Sequence, residues 1–225
     1  LRNSSAASDV YKRQVLSGLT LIGPLAAIIA IIFIKLLLIV NKFPKYAGLK
    51  NWQTPIIAGL ACGITGLFLD EILGLGNKTL LEVLTINLDV IFLITLLLGK
   101  LILTSLCIGL GFFGGVFSPA IFLGALVGAL IYNLDFLNLA ENHLSVLAVS
   151  GMAAVSSSVI GAPITAIILV LELTGSYDYA IAATLPVAIC TFITSRTLGN
   201  SFFDKQLFSR GIEISKGREQ ICLLY

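Results

Sequence analysis

The feature that most constrains this chain is the length of its apolar runs and the way they are broken. Residues 15–40 are interrupted only by Pro24 and Lys35, and residues 90–113 by Gly99, Lys100 and a glycine-rich end. Runs of about 20 apolar residues are the mark of helices that cross a bilayer. Charge is correspondingly scarce, at 12% of the 225 residues against roughly 25% in soluble domains. A net charge of +2 without a basic patch excludes a nucleic-acid binder. The 57% hydrophobic content excludes a disordered or disulfide-stapled chain. Cys62, Cys107 and Cys190 lie inside apolar runs without metal-ligand spacing, so they read as small hydrophobes, with no metal site and no cofactor.

Sidedness follows from the loops. The stretch NKFPKYAGLKNW carries Lys42, Lys45 and Lys50 with no acid, which assigns it to the cytoplasm, as do Lys205, Arg210, Lys216 and Arg218 near the end. The acidic stretch DFLNLAENH, with Asp135 and Glu141, faces the opposite side. Between them the pattern predicts a span over 55–73, a short amphipathic piece over 80–86, and a full-length run over 179–197. Residues 144–158 and 164–174 read as half-spans separated by IGAP. Helices broken at membrane depth expose backbone groups that hydrocarbon cannot satisfy, and they persist only where protein or a wet cavity receives them. In transporters such broken helices aim their N-termini at anions.

The motif GGVFSP, residues 114–119, opens one of these helices. The first amides of a helix have no intrahelical partner, and the dipole adds a partial positive charge there. An anion can be held at such a place without Lys or Arg, weakly enough to leave again. Gly114 and Gly115 would keep the approach bare, and Pro119 within the first turn costs little. The same pattern also suits a tight turn between packed helices, with glycine serving backbone contact.

The stretch GKLILTSLCIGLGFFGGVFSPAIFLGALVG resembles the segment of CLC chloride channels and chloride/proton antiporters that bears the GxFxP signature. GMAAVSSSVIGAPITAIILVLELTGSYD resembles the half-helix pair that follows it, and GNSFFDKQL the cytoplasmic helix that points its start at the central anion. The resemblance covers nearly all of residues 17–220. It implies an all-α membrane bundle with broken and half-spanning helices, about six to eight in number, forming one of two inverted repeats. By the same resemblance, Val116, Phe117 and Ser118 supply backbone amides to chloride, on a loop shaped by Gly114, Gly115 and Pro119. Phe203 stands where the family has a tyrosine, so one hydroxyl donor to the anion is missing. The implied function is transport of chloride or a similar small anion in the cell's inner or plasma membrane by a homodimer, as a chloride/proton antiporter. A voltage-gated-type passive chloride channel on the same fold is the alternative, since the gating and proton-relay glutamates of the family belong upstream of Val15. An isolated piece that transports nothing is a further one.

An intramembrane enzyme would need a nucleophile and base, or paired aspartates, on facing spans. Asp70 and Asp89 lack that setting, and Ser118 and His143 lie on opposite sides of one long helix. Lys100 either raises anion concentration in an entry vestibule or snorkels. Glu172, at a helix end, reads as bonded to neighbouring hydroxyls or amides, and His143 as a solvated loop residue. Gly124, Ala125, Gly128 and Ala129 make a small-residue face suited to close packing.

The ends of the chain read differently. DVYKRQ, residues 9–14, can be encoded GAT GTG TAT AAG AGA CAG, and the reverse complement contains TGT CTC TTA TAC, which encodes the closing CLLY, residues 222–225. Residues 1–14 and 222–225 are therefore expected to be translated adapter. Residues 15–208 are then the transmembrane domain, and 209–221 a cytoplasmic connector of the kind that leads to regulatory domains in many family members.

Overall fold

The computed structural model describes residues 2–46, 48, 50, 52–112, 114–134, 143–199, 202, 203 and 206, with backbone alone at 2–14 and 45. Eight α-helices follow one another among the described residues: α1 (Arg2–Tyr46), α2 (Gln53–Phe68), α3 (Asn77–Thr85), α4 (Val90–Gly109), α5 (Phe117–Tyr132), α6 (His143–Ile160), α7 (Pro163–Thr174) and α8 (Tyr177–Leu198). A single turn of 3-10 helix, Asp70–Ile72, links α2 to α3. No strand occurs among the described residues, and the fold is all-α.

Four helices are long and apolar enough to cross a membrane: Val15–Pro44 within α1, α4, α6 and α8. With the shorter apolar helices α2, α5 and α7, they make this an integral, multi-pass membrane protein. Many large apolar side chains on α1, α2, α7 and α8 face outward, among them Ile28, Leu60, Ile164 and Ile181. In water that surface would be costly, at roughly 25 cal/mol per Å²; in lipid it is the proper solvent-facing layer.

Several boundaries depart from the sequence pattern. α1 runs six residues beyond 40, through Pro44, because Asn and Lys leave the membrane without leaving the helix. The segment expected over 55–73 stops at Phe68, where Leu69 turns out of helical geometry. Residues 144–158, read as a half-span, belong instead to an 18-residue helix, about 27 Å long at 1.5 Å per residue. Gly161, at φ 83°, ends it, Ala162 caps the next helix and Pro163 begins it, so the IGAP break holds. α7 remains short, at 12 residues.

Contacts between helices fix their polarity. Gly18 of α1 lies against Leu147 and Ile131. Asn133 donates from Nδ2 to the Leu88 carbonyl (3.4 Å), and Ser145 Oγ meets the Tyr179 hydroxyl (3.2 Å). The starts of α4, α6 and α8, the end of α5 and the apolar start of α1 therefore share one end of the bundle. At the other, Gly109 packs on Val40, joining the ends of α4 and α1. Lys42 and Lys50 follow that second end, while Lys205, Arg210, Lys216, Arg218, Asp135 and Glu141 lie outside the described residues.

The core is built around α5 and α6, whose contact is the most extensive in the molecule. Side-chain-free positions make it possible: a Cβ on Gly124 would fall 2.7 Å from the Cα of Met152, and one on Gly128 2.5 Å from that of Ala148. This is the close packing expected from the small-residue face, and it seats α5 rigidly.

Candidate functional site: the start of α5

α4 ends at Gly109, and Gly111, at φ 99°, turns the chain in a conformation that L side chains rarely adopt. Gly111 donates its amide to the Ile108 carbonyl (3.2 Å) and Phe112 to that of Cys107 (2.9 Å), so the loop is rooted on the last turn of α4. Val116 then caps α5, whose first internal bond runs from the Ala120 amide to the Val116 carbonyl (3.1 Å). The amides of Val116, Phe117 and Ser118 have no acceptor among the described residues, and no side chain caps the helix. Pro119, third in the helix, brings no amide. Three donors thus converge at the positive end of a 16-residue helix. From Leu110 to Ala120 the sequence holds no titratable side chain, so the loop itself brings no formal charge to the helix start.

The surroundings are graded. Val116 is buried, Phe117, Ser118 and Pro119 are half-buried, and Gly114 and Gly115 are exposed. Neither glycine has a positive φ. A Cβ on Gly115 would meet nothing within 4 Å, and one on Gly114 only Ile108, at 3.8 Å. Among the described residues, then, neither packing nor backbone strain calls for glycine at 114 and 115. The space beside the two glycines, just ahead of the three amides in the chain, is open.

The remaining candidates are distributed elsewhere. Lys100 is not a surface charge: it is 2% exposed in the middle of α4, donating to the carbonyls of Ile72 and Gly74 at 2.8 Å each, with Nζ 4.8 Å from the centre of the Phe122 ring. The bare Gly99 beside it admits the Ile72 side chain. The 3-10 turn leaves carbonyls inside the bundle, and the ammonium satisfies them, which accounts for a buried Lys without a carboxylate partner among the described residues. His143 is likewise not solvated; it is 1% exposed at the start of α6. Glu172 is exposed on α7, with no hydrogen bond or ion pair among the described residues, so the bonding expected for it is absent there. Phe203 shows 43% of its surface, its ring edge-to-face with buried Phe202 at 5.5 Å.

Sequence reasoning missed three features. Gly111 carries the one turn in the loop that requires glycine, and the φ sign cannot be read from a run containing three other glycines. The Lys100 cap depends on carbonyls 26 and 28 residues away. Cys62 and Cys107, read as separate hydrophobes, meet with sulfurs 3.1 Å apart.

Comparison with known proteins adds the following. The family model described as voltage gated chloride channel matches residues 7–195. A protein of Vibrio parahaemolyticus named H(+)/Cl(-) exchange transporter ClcA is 30% identical over 219 residues, covering 92% of this chain and 45% of the relative. The protein of the same name from Salmonella agona is 31% identical over 175 residues, 75% of this chain and 36% of the relative. The chain thus spans about half the length, or less, of the curated relatives it matches. Among solved structures, a slow cyanobacterial Cl-/H+ antiporter superposes with a TM-score of 0.69 over 90% of this chain and 47% of that one, at 24% identity, which establishes the shared fold.

Proposed function

The chain belongs to the voltage gated chloride channel family, and from that premise we propose that it carries one half of a chloride path, working as a chloride/proton antiporter in a homodimer. The observation that carries this reading is the start of α5, where three uncharged amides have no partner among the described residues and follow two glycines set in open space. A desolvated halide needs donors, and donors without formal charge hold it loosely enough for turnover. Val116, Phe117 and Ser118 supply them; Gly114 and Gly115 leave room for the ion; Pro119 fixes the first turn of the helix. Exchange is favoured over passive conduction by the relatives, which are named as exchange transporters. Those relatives are transporters, and no enzymatic step is assigned to this chain. Residues 15–208 are the transmembrane part in this reading, and 209–221 a connector on the cytoplasmic side.

Two measurements test it on the full-length protein in lipid vesicles. A chloride gradient should drive proton movement against its own gradient; chloride movement without protons would convert the reading to a passive channel. In crystals soaked with bromide, anomalous density should lie at the start of α5. Density found elsewhere, with none there, would overturn the assignment of the site.

A further inference from the structure

We infer that Cys62 and Cys107 form a modification site: a disulfide-forming pair that ties α2 to the root of the α4–α5 loop. The two sulfurs lie 3.1 Å apart, one on each helix, and both are half-buried and therefore open to small lipid-soluble reagents. Closing them to bonding distance needs a shift of about 1 Å. A linear two-sulfur metal site would instead require the sulfurs to move apart, so the contact favours the covalent bond.

The position gives the bond a consequence. The Cys107 carbonyl accepts the Phe112 amide (2.9 Å), the bond that begins the loop. One turn before Cys62 on α2, the missing side chain of Gly59 leaves room for the Phe112 ring, whose Cζ lies 3.8 Å from where a Cβ would stand. At the start of α2, Thr54 Oγ1 lies 4.0 Å from the corresponding point on Gly111. α2 is thus the wall on which residues 111 and 112 rest, and a bridge at Cys62 fixes that wall to the helix end that launches the loop.

The oxidant fitting a site within lipid is an organic hydroperoxide. One of the two sulfurs takes the terminal peroxide oxygen, becoming a sulfenic acid and releasing the alcohol. The other sulfur then displaces that oxygen as water, so two thiols lose two hydrogens and the peroxide is reduced. Thiol reductants reverse the bond. Cys190, fully buried with its sulfur 2.9 Å from Ser158 Oγ, remains a thiol throughout.

The effect of the bond on anion passage rests on the transport reading above, whereas its formation does not. The full-length protein in vesicles is treated with tert-butyl hydroperoxide, digested and searched by mass spectrometry, and chloride efflux is followed in parallel. The expected result is a linked peptide joining residues 62 and 107, a several-fold slower efflux, and recovery of both with dithiothreitol. Cys62→Ser and Cys107→Ser should each keep the reduced efflux rate and abolish sensitivity to the peroxide. Failure of the two thiols to link in the folded protein, while they do link after unfolding, would overturn the site. Linkage with unchanged efflux would overturn its action on the loop. Vesicles that move no chloride even when reduced would sink the transport reading and leave the linked peptide to decide the site.

Discussion

Just before α5, Gly114 and Gly115 stand in open space, while about two and three turns into the helix Gly124 and Gly128 are pressed against the backbone of α6. The same residue type is present for opposite reasons. In the body of the helix glycine is demanded by what surrounds it, since any Cβ would land on main-chain atoms that cannot swing aside. At the mouth no described residue demands it, since a Cβ there would meet at most one side chain, at 3.8 Å. Rigid seating and an open mouth are complementary: the first holds the three amides in place, and the second leaves them available.

The sharpest way to break the comparison is to add methyl groups on both sides of it. Gly124→Ala forces a Cβ to within 2.7 Å of the Gly151 and Met152 backbones. The expected penalty is at or above the upper end of the roughly 1–3 kcal/mol typical of overpacking. It should appear as a marked fall in thermal midpoint, or as loss of folded protein on size-exclusion chromatography in detergent. A variant as stable as the parent would show that α5 and α6 are looser than the structure has them.

Lys100→Met should follow in size. It removes two charge-assisted hydrogen bonds, about 1.5–3 kcal/mol each, but also the cost of burying an ammonium, leaving a net loss of about 2 kcal/mol. The measurement is again the thermal midpoint, with chloride affinity unchanged because Lys100 serves the 72–74 turn. A loss of affinity at constant stability would restore Lys100 to the anion path.

The fold was legible from the sequence wherever apolar run length and Gly or Pro punctuation decide the outcome. That covers the start of α4, the entry into α5 at 116–117, the Gly161–Pro163 break and the shortness of α7. It was illegible where a boundary depends on the partner rather than the run. The extra turns of α1 and α6 are cases, since hydropathy reports where a helix leaves lipid and not where it unwinds. Lys100, His143 and the Cys62–Cys107 contact share one cause. Each is a relation between residues distant in sequence, and periodicity along one helix carries no trace of it. The helix start after the 114–119 loop was readable because what shapes it is local: backbone amides, a cap and the order of six residues.

Gly115→Ala carries the comparison to the mouth. The methyl meets nothing within 4 Å, so stability should hold within about 0.5 kcal/mol, as for other changes away from packed features. In the proposed path the same methyl stands in the approach to the amides. If it costs the ion one charged hydrogen bond, about 1.5 kcal/mol, chloride binding weakens about tenfold, readable by isothermal titration on the full-length protein. Unchanged binding would mean that glycine at 115 is incidental.

The smallest effect is expected from Phe203→Tyr, which runs in the opposite direction. The ring is 43% exposed, so a hydroxyl on it meets no packing penalty and the thermal midpoint should not move. In the proposed path the hydroxyl reaches the anion, adding a fourth uncharged donor to the three from α5. The hydroxyl would compete with water for that role, and an ordered water is nearly as good a donor. The gain should therefore stay below tenfold in chloride affinity, about 1.4 kcal/mol, with slower release as its kinetic counterpart. An affinity left where it was would place residue 203 away from the ion, and the open mouth of α5 would then be completed by the amides alone.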